Sequence, residues 1–323
     1  MAKTIVCGDT HLKHDKYYTQ AIEMFFDWLS EQPFNIPENT FLHVGDFYDK
    51  YSPTPKDIAR GIYFLQDKLK FEKKYILTGN YKHSFDGIKK IWAEDSLEPV
   101  KSVEVIKMIK GLKIGNLNCL ILPWFNRITH PEGLSTKQYY ENLPNQYREK
   151  EYDFIFGHIT NKDLFGEIVD ISYLKAKKIV LGHVHNCNFS PDFIGTPLVC
   201  RKDEQGKKNR IMIIDNDTGE FEYLEVPRFI EYVDITYPNK PEPSNISIQI
   251  FDIHEAPSIE IVKEHYKDLI IRRNGIHRKK VEREVNGEVI KSDTLTIKDY
   301  LNNFMAEKEL SERQREILIE RVG

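Results

Sequence analysis

Seven side chains in this chain have the types and spacing to hold metal ions. Asp9-Thr10-His11 places a carboxylate and an imidazole two residues apart. Asp46, Asn80 and His158 each stand alone behind a glycine. His183-Val184-His185 adds two imidazoles, which an extended segment puts on one side because side chains alternate along it. The set supplies two carboxylates, one amide oxygen and four imidazoles. Hard oxygen donors mixed with imidazoles suit manganese, iron or zinc. Seven ligands are too many for one ion and suit two ions that share a bridging carboxylate. Two cations about 3.5–4 Å apart can activate a water and clamp a phosphate ester under in-line attack.

These residues share a local device. An apolar, β-branched run leads into glycine and then into a side chain able to bind metal: Ile5-Val6-Cys7-Gly8-Asp9, Phe41-Leu42-His43-Val44-Gly45-Asp46, Tyr75-Ile76-Leu77-Thr78-Gly79-Asn80, Phe154-Ile155-Phe156-Gly157-His158 and Ile179-Val180-Leu181-Gly182-His183. Continuous apolar runs of this length read as strands buried on both faces. Glycine at the strand's end permits a tight turn and a close backbone approach to a ligand. Ligands of layered α/β folds gather at the carboxyl ends of strands, so five strand ends are expected to converge.

Helices fit between these strands. Residues 19–30 carry Ile22, Phe25, Phe26 and Leu29 at helical spacing, and residues 55–69 carry Ile58, Ile62, Leu65 and Leu69. Residues 103–123 read as strands around Gly111 and Gly115, and 211–226 as a hairpin turning at Asn216-Asp217-Thr218-Gly219. Composition shifts near residue 228, where Pro227 and the 238–243 stretch punctuate the chain. Beyond it, 229–236, 245–252 and 269–273 read as strands and 257–268 as a helix. A hairpin is expected over 281–290 with Asn286-Gly287 as its turn. Two short helices, about 296–306 and 312–321, close the chain.

The chain has 323 residues, 40% hydrophobic and 30% charged, which fits a globular protein with a sizeable core. Its formal charge is -4 and its pI about 6.3, which excludes a globally basic nucleic-acid binder but not a local basic patch. No apolar run approaches the roughly 20 residues of a membrane span, and no signal or transit peptide is legible. The four cysteines lack CxxC spacing. A cytoplasmic location without disulfides is expected.

The order Asp-x-His, Gly-Asp, Gly-Asn, Gly-His, Gly-His-x-His resembles the calcineurin-like metallophosphoesterases over residues 1 to about 226. The resemblance implies an α+β fold, a two-layer β sandwich flanked by helices. Within that superfamily the chain looks most like the SbcD and Mre-eleven nucleases, bacteriophage members included. Gly45-Asp46-Phe47-Tyr48-Asp49 is similar to their second motif, whereas phosphatases would show Gly-Asp-x-x-Asp-Arg-Gly, and here Lys50-Tyr51 follows Asp49. Leu122-Pro123-Trp124 and Ile194-Gly195-Thr196-Pro197 are further nuclease-like landmarks.

The resemblance implies a nuclease domain over 1–227, a small αβ capping domain that helps hold DNA over 228–275, and a 276–323 segment of hairpin and C-terminal helices that docks on an SbcC-type (Rad-fifty) coiled-coil ATPase. It also implies a homodimer that processes DNA ends in repair or recombination. Two divalent ions, Mn2+ foremost, are expected: one on Asp9, His11, Asp46 and His185, the other on Asp46, Asn80, His158 and His183, with Asp46 bridging. DNA contacts are expected from Arg272, Arg273, Arg278, Lys279 and Lys280, which cluster with little opposing charge. Partner docking is expected through Tyr300, Leu301, Phe304, Ile317 and Leu318.

The chain departs from the family at its third motif, Gly-Asn-His followed by Asp or Glu. Here it reads Gly79-Asn80-Tyr81-Lys82. Tyr81 occupies the place of the histidine that orients the scissile phosphate or protonates the leaving oxygen. His83 is a possible substitute. Two alternatives follow: a metal- and DNA-binding scaffold without turnover, and a phosphomonoesterase or small phosphodiesterase.

Overall fold

The apolar runs behind the ligand residues form parallel strands that end at one level. A computed structural model of the chain describes residues 1–13, 15–86, 89, 91–124, 133–161, 168–278, 283–285 and 288–290. In chain order the elements are β1 (Lys3–Cys7), α1 (Lys16–Ser30), β2 (Thr40–His43), α2 (Pro55–Tyr63), β3 (Lys73–Leu77), α3 (Tyr81–Ser84), β4 (Phe85–Asp86), β5 (Ile91–Trp92), β6 (Val103–Ile106), β7 (Lys110–Ile114), β8 (Leu117–Leu122), α4 (Thr136–Glu141), α5 (Asn145–Arg148), β9 (Glu151–Gly157), β10 (Lys175–Leu181), β11 (Arg210–Asp215) and β12 (Phe221–Glu225). They continue with β13 (Ile230–Thr236), β14 (Ile248–Ala256), α6 (Ile259–His265), β15 (Ile271–Arg278), β16 (Arg283–Val285) and β17 (Glu288–Ile290).

A six-stranded sheet runs β12-β11-β1-β2-β3-β6, and a four-stranded sheet runs β10-β9-β8-β7. β1, β2, β3 and β6 are parallel, as are β8, β9 and β10. Cys7 sits beside His43 and His43 beside Ile76, so the first three strands finish within a residue of one another. Gly157 lies between Leu122 and Leu181 in the second sheet. Between the sheets lies a core built of Val6, Leu42, Leu77, Ile121, Phe154, Phe156 and Met212, among others. A second core covers the other face of the four-stranded sheet, with Leu120, Ile155 and Leu181 against Tyr140, Leu143 and Val169. This is the expected α+β sandwich.

Helix α1 starts where the Asp15 carboxylate accepts the Tyr18 N–H at 2.9 Å, and it buries Ile22, Phe25, Phe26 and Leu29. Thr54 and Asp57 cap α2 reciprocally, with Pro55 at its first position. The expected single helix over 55–69 needs correction. Residues Phe64–Lys68 widen into a π-turn, in which Leu69 N–H donates to the Phe64 carbonyl at 3.0 Å. The extra residue per turn brings both Phe64 and Leu65 inward, and Phe64 stacks on Phe26 at 4.3 Å. Ile58 and Ile62 are left half-buried.

All four cysteines are free and buried. No helix among the described residues is long and apolar enough to cross a membrane. The chain divides into two compact units, Met1–Val233 with Pro243–Ile250, and Asp234–Glu242 with Phe251–Gly323. In the second unit β14 and β15 pair in parallel, and the expected strand over 269–273 extends to Arg278. The expected helix over 257–268 shortens to α6, capped by Ser258. β16 and β17 form an antiparallel pair about the expected 286–287 turn, which lies outside the described residues.

Phe156 is 1% exposed between the two sheets. Phe156→Ala is expected to destabilise the metal-free protein by roughly 3–5 kcal/mol, read as a lowered urea midpoint. An unchanged midpoint would contradict the core assignment.

Candidate metal centre

The loops after β1 and β2 are zipped together by backbone bonds. Asp9 N–H donates to the Gly45 carbonyl at 3.0 Å, His11 N–H to Asp46 at 3.0 Å, and Leu12 N–H to Phe47 at 2.8 Å. Four of the seven expected ligands adopt left-handed backbone: Asp9 (φ 54°), His11 (φ 46°), Asp46 (φ 50°) and His183 (φ 73°). Each such conformation costs on the order of 1–3 kcal/mol and concentrates at functional sites. The 183–185 segment is therefore not extended, as its sequence alone suggests; His183 turns back out of the strand direction. Two glycines are sterically obligatory. A Cβ on Gly45 would lie 2.2 Å from His158 Nδ1, and one on Gly79 would lie 1.8 Å from Asp46 Oδ1.

All seven expected ligands meet around Asp46, which is 1% exposed. On one side, His11 Nε2 and His185 Nε2 are 2.9 Å apart. His185 Nε2 lies 3.8 Å from Asp9 Oδ1, and His11 Nε2 lies 3.9 Å from Asp46 Oδ2. On the other side, Asp46 Oδ1 is 3.3 Å from His158 Nε2, which has no hydrogen-bond partner. Asp46, His158 and His183 bring ligand atoms within 4.8 Å of one another. Asn80 Nδ2 donates to Asp46 Oδ2 at 3.0 Å and lies 3.5 Å from His183 Nδ1. Its Oδ1 accepts the Lys82 N–H at 3.1 Å, so offering oxygen to a cation takes a half-turn of the amide. Donors bound to one cation at about 2.0–2.2 Å stand roughly 2.9 Å apart at right angles and about 4.2 Å apart across the ion. The observed separations fall in that span, so the donor set fits divalent cations.

The electrostatics agree with cation binding. Burial pushes the Asp9 carboxyl up to about 6, against the pull of His158 and His185. Burial acts the same way on Asp46, but His158, His11 and His83 outweigh it and hold that carboxyl below the usual range. Burial disfavours charge on His158, yet Asp46, Asp9 and the Val44 carbonyl lift it to about 9. Burial drives His11 well below its ordinary value and, with the charge on His158, takes His183 down to about 4. Two buried carboxylates thus face imidazoles of which at least two, His11 and His183, are uncharged at neutral pH.

His83 belongs to this centre. Its Nδ1 donates to the Asp49 carbonyl at 2.5 Å, its Nε2 lies 4.0 Å from Asp46 Oδ2, and its ring meets His11 edge-on at 4.7 Å. Of Tyr81, at the start of α3, only the backbone is described. Behind Asn80, Gly79 N–H donates to Ser84 Oγ at 2.9 Å, and Ser84 donates to the buried Glu94 at 2.7 Å. Burial pushes the Glu94 carboxyl up to about 8. Sequence reasoning missed Glu94, and it missed Glu204, whose Oε1 is 2.5 Å from His185 Nδ1. Glu94 stands beside Asp95 and Glu204 beside Asp203, and neither carries a local signal. His43 is fully buried, 3.1 Å from Thr10 Oγ1, and His14 lies outside the described residues.

The centre opens into a cleft of about 580 Å³ whose lining includes Lys82, Trp124, Phe189, Arg201 and Lys207. Phe189 is 59% exposed. In the second unit, Arg272 makes a bidentate pair with Asp252 at 2.7 and 2.8 Å. Arg273 and Arg278 lie on β15, of which only their backbone is described, and Lys279 and Lys280 lie outside the described residues. Tyr300, Leu301, Phe304, Ile317 and Leu318 also lie outside them.

Residues 2–187 match the family model Metallophos, calcineurin-like phosphoesterase. No curated protein sequence matches the chain. Among solved structures, the chain is similar to a novel archaeal phosphodiesterase at 16% identity and TM-score 0.37, over 69% of this chain and 99% of that one. It is similar to a protein of unknown function from Aquifex aeolicus at 14% identity and TM-score 0.32, over 55% and 88%. A hypothetical protein from Pyrococcus horikoshii OT3 is similar at 13% identity and TM-score 0.35, over 70% and 88%.

Gly79→Ala drives a methyl group into Asp46 Oδ1. Titration calorimetry is expected to show Mn2+ affinity lowered by roughly 10–100-fold with the circular dichroism spectrum kept. Gly111→Ala, which meets nothing within 4 Å, serves as the unaffected control. Equal affinities in both variants would contradict the close approach at Asp46.

Proposed function

The chain belongs to the calcineurin-like phosphoesterase family, and from that premise we propose that it is a two-metal DNA nuclease subunit of the SbcD and Mre-eleven type. The family is one of metal-dependent phosphoester hydrolases. The observation that carries the two-ion reading is Asp46, whose oxygens face two separate sets of imidazoles. The chemistry that two divalent cations, Mn2+ by preference, would supply here is activation of a water for attack on phosphorus. Asp9, His11, Asp46 and His185 would hold one, and Asp46, Asn80, His158 and His183 the other.

The chain's own groups do the positioning. The Val44 carbonyl accepts His158 Nδ1–H at 2.8 Å and so presents Nε2 to the centre. The Asp49 carbonyl does the same for His83. His83 lines the cleft, and it takes the substrate-facing role at the scissile phosphate that the family gives to the residue at position 81. A phosphodiester substrate is supported by the absence of Arg-Gly after Asp49. Cations Lys82, Arg201 and Lys207 and the aromatic rings of Trp124 and Phe189 line the same cleft, a mixture that suits backbone phosphates and unstacked bases. DNA-end processing as a homodimer with an SbcC-type ATPase, from a phage or a cell, completes this reading and rests on the resemblance. A metal- and DNA-binding scaffold without turnover is the second reading, and Tyr81 favours it.

The test is Mn2+-dependent cleavage of end-labelled linear DNA. The wild-type protein is expected to cleave, Asp46→Ala to be inactive, and His83→Ala to lose roughly 10²–10⁴-fold in rate. Cleavage that appears only in Tyr81→His supports the scaffold. Hydrolysis of a nitrophenyl monoester without DNA cleavage contradicts the nuclease reading.

A further inference from the structure

We infer that Glu204 is a positioning residue that fixes His185 as a metal ligand by holding its Nδ1–H. The inference rests on the two-ion reading above. It concerns a residue beyond the segment 2–187 that matches the family. Glu204 is 3% exposed and ends a short 3₁₀ turn, Lys202–Glu204, nineteen positions after His185.

Both oxygens of Glu204 are committed. Oε1 lies 2.5 Å from His185 Nδ1. Oε2 accepts the Cys200 N–H at 2.7 Å and the Arg201 N–H at 3.1 Å. The three-residue grouping of His185, Cys200 and Glu204 is better read as a hydrogen-bonded cluster than as a further metal site, because N–H donors already take three of the carboxylate's four lone-pair directions. A carboxylate only accepts, so His185 must carry its proton on Nδ1. A neutral imidazole with Nδ1–H has a bare Nε2. That Nε2 faces His11 Nε2 at 2.9 Å and Asp9 Oδ1 at 3.8 Å.

The dyad is tied to the rest of the centre. Thr196 Oγ1 donates to the Asp9 carbonyl at 3.0 Å, which latches the segment leading to Glu204 onto the loop that carries Asp9 and His11. His158 and His83 anchor their Nδ1 atoms on neutral backbone carbonyls. His185 uses a full negative charge, which makes its Nε2 the more basic donor. The effect belongs to one of the two ions, the one on Asp9, His11 and His185.

Glu204→Gln separates this role from simple packing, because it keeps the shape. Two backbone N–H groups claim the amide oxygen, which leaves the NH2 group against His185 Nδ1. His185 then has to accept there and carry its proton on Nε2, pointing into the centre. Long-range ¹⁵N–¹H NMR on metal-free, histidine-labelled protein, recorded at a pH high enough for His185 to be neutral, is expected to show His185 as the Nδ1–H tautomer in wild type and as Nε2–H in Glu204→Gln. Titration calorimetry with Mn2+ is expected to show one of the two ions bound roughly 10–100-fold more weakly in the variant, with the other unchanged. An Nε2–H tautomer in the wild type, the same tautomer in both proteins, or wild-type affinity for both ions in Glu204→Gln would overturn the inference. A tautomer that shifts as expected in a protein that binds no Mn2+ contradicts the two-ion reading and leaves the dyad standing.

Discussion

The structure depends on keeping a charged carboxylate, that of Asp46, almost wholly out of water. An isolated buried carboxylate carries a desolvation penalty of several kcal/mol, so this arrangement holds only if its surroundings return that energy. They do so from both sides. Oδ1 accepts the Asn80 N–H and faces His158; Oδ2 accepts the Asn80 amide and faces His11 and His83. The same carboxylate that needs those neighbours is the ligand that the proposed two-ion centre shares. The left-handed backbone at Asp9, His11, Asp46 and His183 is strain of the kind that tight packing and bound cations can hold.

The fold supplies the means. Parallel strands release their chains at one end, and the matched registers of β1, β2 and β3, and of β8, β9 and β10, set those ends level. The core between the two sheets fixes their mutual position. Glycine then brings backbone against side chain where any Cβ would collide, at Gly45 with His158 and at Gly79 with Asp46. Packing and chemistry are therefore one problem here: a methyl group at residue 79 is both a steric and a functional lesion.

Much of this was legible because its signals are local. An apolar run, a glycine and a ligand-type residue occupy six adjacent positions or fewer, and the device recurs, so strand, turn and ligand can be read together. What the sequence hides is tertiary. The π-turn at Phe64 arises from packing on Phe26 and overrides a helical stripe that looks regular. The left-handed turn at His183 breaks the alternation expected of an extended segment. Glu204 sits among Lys and Asp in a polar stretch, and only the folded chain brings it to His185. Arg272 reads as part of a basic cluster, yet its guanidinium is paired with Asp252, a partner twenty residues away.

The central claim is that Asp46 joins two cations in one centre, and electron paramagnetic resonance of the Mn2+-loaded protein tests it most directly. At two equivalents of Mn2+, the wild-type protein is expected to give the spectrum of an exchange-coupled pair, and Asp46→Ala to lose it. A wild-type spectrum of isolated Mn2+ ions at full loading would contradict the shared carboxylate.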